Sequence, residues 1–268
     1  MSQHNAERNA TDGRIVTSKQ GSIFVISIDR PSKLNGFSGV MLDELGSAFS
    51  AMEQDPKIRC GVLCAVGDNF TAGLELNKLS NRFAEGKSLF PEDEVDPVNL
   101  KRLRSKPLVA AVQGICFTLG IELMLAADIV VAASNCRFSQ LEVKRGIMAS
   151  AGATIRMAER AGLGNALRYL LTGDEFDAAT ALRLGFVQEV VAPGAQFDRA
   201  IQLAKSIAEA APLAVAATLS NARKSVVEGP SIAAAEIGEL QARLRASEDA
   251  QEGVRSFVER RTARFAGR

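Results

Sequence analysis

Two segments of the chain share an order of residue types that can bind a negatively charged oxygen. GVLCAVGDNFTAGLEL (61–76) and LVAAVQGICFTLGIEL (108–123) each read as a buried strand, a turn of small residues and the start of a helix. The first N–H groups of a helix have no backbone partner, and the helix dipole adds partial positive charge there. If both turns face one pocket, two N–H groups converge on one oxygen and form an oxyanion hole. Such junctions are also common structural features, so the pattern alone leaves both interpretations open.

Histidine chemistry has a single candidate residue. The only histidine, His4, lies in the polar N-terminal stretch MSQHNAERNATDG. A Ser–His–Asp triad, a Cys–His pair and a histidine-based metal site therefore lack an essential member. Acid–base chemistry is left to carboxylates, Lys, Tyr or Cys. The cysteines stand in apolar surroundings and are expected to be buried free thiols rather than disulfides or metal ligands: Cys60, Cys64, Cys116 and Cys136.

The composition is that of an ordinary globular protein. Of 268 residues 47% are apolar and 24% are charged, and 32 basic residues stand against 31 acidic ones. This balance argues against a general nucleic-acid binder, although a local basic patch remains compatible with it. No apolar run approaches the ~20 residues of a membrane span, and the start lacks the apolar core of a secretory signal. We therefore expect a cytoplasmic protein.

The elements that position the two turns follow from hydrophobic periodicity. Residues 14–29 predict two strands with a turn at Gln20–Gly21. A helix is predicted from its N-cap, Ser38, to Asp55–Pro56. Its apolar stripe consists of Met41, Leu42, Leu45, Phe49 and Met52.

Further strands and helices alternate along the rest of the chain. Residues 58–66 and 107–114 predict strands, 119–128 a helix, and the polar stretch 77–99 a mobile loop. A last strand is predicted at 186–192, and Ala-rich amphipathic helices follow. The alternation indicates an α/β core. The predicted organisation is a disordered tail over 1–12, the core over 13–195, and a helical region over 196–268 that serves as lid, oligomerisation surface or both.

Five motifs along nearly the whole chain resemble, in order, those of the crotonase, or enoyl-CoA hydratase, superfamily. They are RPSKLNGFS (30–38), DNFTAGLEL (68–76), AAVQGICFTLGIELMLAADI (110–129), FSQLEVKRGI (138–147) and FVERRTARF (257–265). The resemblance implies a crotonase-type α/β spiral of repeated β-β-α units. It also implies a C-terminal helical region that builds trimers, which pair into hexamers.

The resemblance assigns binding roles to particular residues. The two oxyanion N–H groups match Leu74 and Leu119. The adenine end of coenzyme A falls at the carbonyl of Ala72 and at Lys33–Leu34. Arg260 matches a basic position that meets the nucleotide phosphates, often from a neighbouring subunit.

Two acids, Glu122 and Glu142, match the catalytic pair of the hydratases. We assign Glu122 to holding and activating water and Glu142 to delivering a proton to Cα, although one water held by both acids is also workable. As plain structural residues, Glu122 would be a solvated helix-face residue, which its apolar neighbours disfavour, and Glu142 would form a surface ion pair. Asp128 is expected to be structural and Tyr169 to be a packing residue.

Three residues depart from the pattern of the superfamily. Leu119 stands where Gly is common, Leu74 where Ala is common, and Glu75 replaces Asp. Backbone N–H groups survive these changes, so the hole can persist provided φ at Leu119 remains negative. The larger side chains are expected to narrow or reshape the acyl pocket.

These features together predict an enoyl-CoA hydratase-like lyase that adds water reversibly to a 2-enoyl-CoA thioester. No metal or redox cofactor is implied, because coenzyme A is part of the substrate. The first alternative is an enoyl-CoA isomerase, which would need one acid. The second is a non-catalytic member of the superfamily that binds acyl-CoA or RNA.

Overall fold

The computed structural model describes residues 12–268, apart from the side chains of Ser80, Asn81 and Phe83. The strands are β1 Arg14–Gln20, β2 Ile23–Asp29, β3 Cys60–Ala65, β4 Leu108–Val112, β5 Ile115–Phe117, β6 Ile129–Ala133, β7 Arg137–Ser139, β8 Phe176–Asp177 and β9 Glu189–Val191. The helices are α1 Gly39–Gln54, α2 Leu76–Ala84, α3 Leu119–Ala126, α4 Ala153–Ala161, α5 Leu163–Leu170, α6 Ala178–Arg183, α7 Gln196–Glu209, α8 Pro212–Val227, α9 Pro230–Arg245 and α10 Glu248–Glu259. Short 3₁₀ helices cover Pro31–Lys33 and Glu142–Arg145. His4 and most of the predicted tail lie outside the described residues.

The main sheet has six strands in the order β1-β2-β3-β4-β6-β9. β1 and β2 form the predicted antiparallel hairpin, and every later pair is parallel. Side chains of β2 alternate between the two faces: Phe24 and Ile26 join the larger hydrophobic cluster, and Ile23 and Val25 join the smaller one. Because both faces are buried, the central strands are continuously apolar rather than alternating. The predicted α/β core is confirmed.

Helix α1 begins and ends where its capping residues predict. The Ser38 hydroxyl accepts a hydrogen bond from the Met41 N–H at 3.3 Å, and Asp55 is the C-cap. All five residues of the predicted stripe are completely buried. Helix α1 is therefore held against the core, and it follows directly after the segment that contains Lys33 and Leu34.

A second, smaller sheet is formed by short segments that connect strands of the main sheet to the helices that follow them. Its strands run in the order β5-β7-β8. Two isolated parallel bridges, Phe37 with Leu74 and Thr71 with Cys116, extend the same layer. Each circuit of the chain thus contributes one strand to the main sheet and one short segment to this layer, which is the repeated β-β-α pattern that the resemblance implied.

The stretch 77–99 differs from the prediction because it begins with a helix, α2, rather than a loop. Leu79 is buried, and Arg82 in the last turn pairs with Asp43 of α1 at 2.8 Å. Lys78 also pairs with Asp12, at 2.8 Å. The helix occupies only the first part of a stretch that is polar overall, which is why the composition of the whole stretch predicted a loop. Beyond α2 the chain is irregular up to β4.

The described part of the C-terminal region is helical, as predicted. α7 covers the outer face of the main sheet through Ala200, Ile201, Ala204 and Ala208. α8 to α10 leave several apolar side chains exposed, with Phe257 at 85% the largest. Within residues 12–268 no single helix meets the length and hydropathy of a bilayer span, and only α7 and α8, which meet at 110°, do so as a pair. The division at residue 195 stays a prediction.

Asp128 joins three parts of the chain at the end of α3. One carboxylate oxygen accepts hydrogen bonds from Arg104 at 3.0 Å and from the Leu108 N–H at 2.8 Å. The other oxygen accepts one from Arg223 of α8 at 2.7 Å. Burial opposes ionisation of this carboxyl, but the two guanidinium groups outweigh it and hold the pKa of Asp128 below its ordinary value. These contacts support the structural role expected for Asp128.

Candidate active site

The segment after β3 lies between two other segments of the chain. On one side, the Phe37 N–H donates to the Gly73 carbonyl at 2.8 Å, and the Glu75 N–H donates to the Phe37 carbonyl at 3.0 Å. On the other side, the Thr71 N–H donates to the Ile115 carbonyl at 3.0 Å. The two turns that the sequence singles out are therefore neighbours.

The N–H of Leu74 faces the second turn. In a planar trans peptide the N–H points opposite to the carbonyl, and the Gly73 carbonyl of the Gly73–Leu74 peptide points to Phe37. The Leu74 N–H consequently points to the opposite side, towards β5 and the start of α3. It makes no hydrogen bond within residues 12–268.

The N–H of Leu119 lies beside that of Leu74. Thr71 pairs in parallel with Cys116, and further along the two segments Gly73 packs against the side chain of Thr118, so the residues that follow, Leu74 and Leu119, lie in adjacent turns. Leu119 is the first residue of α3, its φ is negative as the prediction required, and its N–H also has no acceptor in the described chain. Two unpaired N–H groups so placed can bind one oxygen.

Close backbone contacts hold the two turns together. A Cβ at Gly73 would lie 1.8 Å from Oγ1 of Thr118. A Cβ at Gly120 would lie 2.7 Å from Cγ2 of Thr71. Real Cβ atoms do not approach so closely, so glycine is required at both positions for the segments to meet.

Glu122 is buried one turn into α3. Its Oε1 accepts hydrogen bonds from the backbone N–H of Ala151 at 2.7 Å and of Ala153 at 3.3 Å. Burial raises the pKa of Glu122, while these two N–H groups and the charge of Arg156 act in the opposite direction. The carboxyl is therefore not a solvated helix-face residue. It is held in one orientation, and its ionised form has specific partners.

Glu142 is the first residue of the 3₁₀ helix after β7 and faces the region that contains Glu122. Its Oε2 is buried and has no hydrogen-bond partner within the described chain. Burial, followed by the charge of Glu122, raises the pKa of Glu142 to about 7. The neighbouring Lys144 pairs with Asp174 instead, at 3.8 Å. The surface ion pair that was the alternative interpretation of Glu142 is thus not formed among residues 12–268.

A cavity of about 240 Å³ adjoins the backbone that holds Glu122. Its wall combines apolar side chains with charged ones, among them Glu92, Asp96 and Lys101, and Ser150 and Ala151 close it on the Glu122 side. The apolar members are Leu89, Phe90, Pro91, Val98 and Leu100. Arg156 fixes this wall, because its Nη2 donates to the carbonyls of Val98 at 2.7 Å and Asn99 at 3.0 Å.

The family assignment rests on the sequence over almost the whole chain. A family model described as enoyl-CoA hydratase/isomerase matches residues 18–268. The chain belongs to the enoyl-CoA hydratase/isomerase family. Among curated relatives it is similar to the 2,3-dehydroadipyl-CoA hydratase of Escherichia coli, with 32% identity over 95% of this chain and 99% of that one. It is also 34% identical to the carnitinyl-CoA dehydratase of Citrobacter koseri, over 93% and 97% of the two chains.

Solved structures of the family have the same fold. A probable enoyl-CoA hydratase/isomerase from Mycobacterium abscessus is 46% identical, with a TM-score of 0.91 over 95% of this chain and 98% of that one. An enoyl-CoA hydratase from Mycobacterium tuberculosis is 34% identical, with a TM-score of 0.84 over 96% and 100%. The predicted crotonase-type α/β spiral with its C-terminal helices is confirmed.

Three of the four residues assigned to coenzyme A lie together, and the fourth is separate. The Ala72 N–H donates to the Leu34 carbonyl at 2.9 Å, next to the exposed Lys33, and no described residue donates to the Ala72 carbonyl. Arg260 is the exposed C-cap of α10, with φ 53°. No hydrogen bond or ion pair within residues 12–268 joins it to the other three. Its assignment therefore stays a prediction that depends on a neighbouring subunit.

Sequence reasoning missed three features of this site. It treated the sign of φ at Leu119 as the critical backbone requirement, whereas the residue with the unusual, positive φ is the one before it, Thr118. The segment ICFTLGIEL contains one glycine, Gly120, so a residue of another type adopts the positive φ in the turn before it. It also overlooked Arg156 and the backbone N–H groups of Ala151 and Ala153. Gly152 ahead of α4 was the available signal for those N–H groups, because an N-terminal helix turn binds carboxylates.

Proposed function

We propose that the protein catalyses the reversible syn addition of water to the double bond of a 2-enoyl-CoA thioester. The observation that supports this most is that the unpaired N–H groups of Leu74 and Leu119 stand near two carboxyls, the buried Glu122 and the half-buried Glu142, and that burial and the charge of Glu122 raise the pKa of Glu142. Hydration needs this combination, because negative charge forms on the thioester oxygen while one proton leaves water and another reaches Cα. The proposed step requires no metal or redox cofactor.

The N–H groups of Leu74 and Leu119 would receive the thioester oxygen. Attack of water at Cβ moves electrons onto this oxygen and gives an enolate. Donors fixed before the reaction stabilise that charge without reorganising, and each is worth about 10²–10³ in rate. The leucine side chains do not change the N–H groups, and negative φ at Leu119 keeps its N–H in the required direction.

The two carboxyls have environments that suit opposite roles. Burial raises the pKa of Glu122, which suits a base that works near neutral pH, while two backbone N–H groups and Arg156 stabilise the ionised form that holds and deprotonates water. Glu142 has an unpartnered oxygen, and its pKa of about 7 keeps much of it protonated at neutral pH. It is therefore the group suited to give a proton to Cα.

The proposed substrate orientation follows from the same residues. The adenine end of coenzyme A lies at Lys33, Leu34 and the Ala72 carbonyl, and the acyl chain enters the cavity beside Ala151 along its apolar side chains. Arg260 completes the phosphate site from a neighbouring subunit of a trimer. The exposed apolar side chains of α8 to α10 would form that trimer interface.

The test is steady-state hydration of a 2-enoyl-CoA by the wild type, Glu122→Gln and Glu142→Gln. Glutamine keeps the shape of each side chain and removes its acid–base function, so kcat should fall about 10²–10⁴-fold in each variant. Glu209→Gln, at an exposed position of α7, is the matched control and should retain full activity. Undiminished hydration in both active-site variants would refute the assignment.

Two other outcomes would identify the alternatives. Conversion of a 3-enoyl-CoA into a 2-enoyl-CoA without hydration would indicate an isomerase, and one of the two acids would then be dispensable. Binding of acyl-CoA without turnover of either substrate would indicate a non-catalytic member. Salt-dependent binding of RNA by the same preparation would indicate the RNA-binding alternative.

A further inference from the structure

Thr118 links β5 to α3 in a backbone conformation that favours glycine. Its φ is 49° and its ψ is −115°. A β-branched side chain is crowded at positive φ, and such strain persists only where the surroundings impose it. Strained residues of this kind concentrate at functional sites, so the presence of threonine here calls for a physical reason.

The backbone contacts of Thr118 explain the conformation but not the side chain. Its N–H donates to the Ser139 carbonyl at 2.9 Å, and its carbonyl accepts from Ile121 at 2.9 Å and Glu122 at 3.2 Å. These contacts direct the start of α3, and with it the Leu119 N–H. A glycine would make all of them without crowding. The threonine side chain must therefore be accounted for separately.

The hydroxyl of Thr118 lies between the two turns that carry the unpaired N–H groups. Oγ1 packs on Gly73, at 1.8 Å from where a Cβ of that residue would be. Gly73 directly precedes Leu74, and Thr118 directly precedes Leu119. Within residues 12–268 this hydroxyl makes no hydrogen bond, and it is not one of the fully buried polar atoms. Its proton is free to be donated into the same gap.

We propose that the Thr118 hydroxyl is a third hydrogen-bond donor to the thioester oxygen, beside the N–H groups of Leu74 and Leu119. The proposal rests on the proposed function in so far as these N–H groups receive that oxygen. Thr118 keeps its proton throughout, and no bond to it forms or breaks. The hydroxyl strengthens its hydrogen bond as the oxygen gains negative charge, which makes Thr118 a catalytic residue of this chain.

The test compares how wild type, Thr118→Val, Thr118→Ser and Thr118→Gly recognise the carbonyl oxygen. Calorimetry gives the affinities for butyryl-CoA and for butyl-CoA, the thioether that lacks this oxygen. The affinity for butyryl-CoA divided by the affinity for butyl-CoA isolates the contribution of the carbonyl contacts, because both ligands make the same contacts through the nucleotide. We expect the ratio to fall about 3- to 10-fold in Thr118→Val, which is nearly isosteric and lacks the hydroxyl. Thr118→Ser should keep the wild-type ratio.

Thr118→Gly keeps the test valid even if Thr118→Val does not fold. It removes the hydroxyl and relieves the crowded backbone, so it should fold at least as well as the wild type and show the same fall in the ratio. In hydration assays the kcat of Thr118→Val and of Thr118→Gly should fall about 10-fold or more, and that of Thr118→Ser should not.

The outcomes separate this proposal from the proposed function. Equal affinity ratios in wild type, Val and Gly would overturn the role of Thr118, even if the wild type hydrates 2-enoyl-CoA normally. A wild type without hydratase activity would overturn the proposed function instead, and a reduced ratio in Val and Gly would still support the hydroxyl as a donor to the thioester oxygen.

Discussion

The pKa of Glu142 makes the stability of the protein depend on pH in a direction that can be measured. In the folded protein the pKa is about 7, against an ordinary value of 4.5. Below about pH 4.5 the carboxyl is protonated in the folded and unfolded states alike and carries no penalty. Between these two values the unfolded chain ionises first, so stability falls as pH rises, and above about pH 7 the loss reaches a plateau.

The size of the loss follows from the same two values. A tenfold change in acidity is worth about 1.4 kcal/mol, so the full difference corresponds to about 3 kcal/mol. Glu142 is only partly buried, so solvent screens part of this effect. We therefore expect about 1–2 kcal/mol. Glu142→Gln removes this penalty and should be more stable than the wild type by that amount at about pH 9, and nearly equal to it at about pH 4.

Urea unfolding at fixed protein concentration measures the effect, with Glu209→Gln as the control for a neutralised but exposed carboxylate. The control should follow the wild type at each pH. Glu122 adds a pH dependence of the same sign that remains in Glu142→Gln, because burial raises its pKa too. If Glu142→Gln is no more stable than the wild type at about pH 9, Glu142 is solvated, and the physical basis for its role as a proton donor is wrong.

Three further substitutions test the contacts that shape the site. Thr118→Gly should raise the free energy of unfolding by about 1–2 kcal/mol through relief of backbone strain, and an unchanged midpoint in urea would contradict that strain. Gly120→Ala should cost about 1–3 kcal/mol, because its Cβ would meet Cγ2 of Thr71 at 2.7 Å, and Thr71→Ser in the same chain should recover part of this loss in thermal unfolding. Asp128→Asn should cost about 3 kcal/mol near neutral pH, because two guanidinium groups lose their charged partner. Since the pKa of Asp128 is lowered, the stability it provides is present above about pH 4 and is lost as pH falls, so the variant and the wild type should converge in acid.

The sequence determined the elements whose pattern is local. Helix α1 is an example, because its N-cap, apolar stripe and terminating Asp–Pro all lie within one continuous stretch. The central strands are similarly evident, since strands buried on both faces are apolar throughout. The two small-residue turns and the acid one turn into α3 were visible for the same reason. Helix α2 was missed because the stretch 77–99 is polar overall, so the short helix at its start was not distinguished from the irregular segment that follows it.

Only the tertiary structure decided how these local pieces act together. The parallel bridge between Thr71 and Cys116, which brings the two turns together, joins residues 45 positions apart, and no local pattern encodes that register. The same is true of Glu122, whose backbone N–H partners are Ala151, just before α4, and Ala153, its first residue, and of the raised pKa of Glu142, which depends on burial and on the charge of Glu122. The residue type of Thr118 was plain from the start. Its positive φ and free hydroxyl exist because the Ser139 carbonyl and the backbone of Gly73 meet it from two different circuits of the fold.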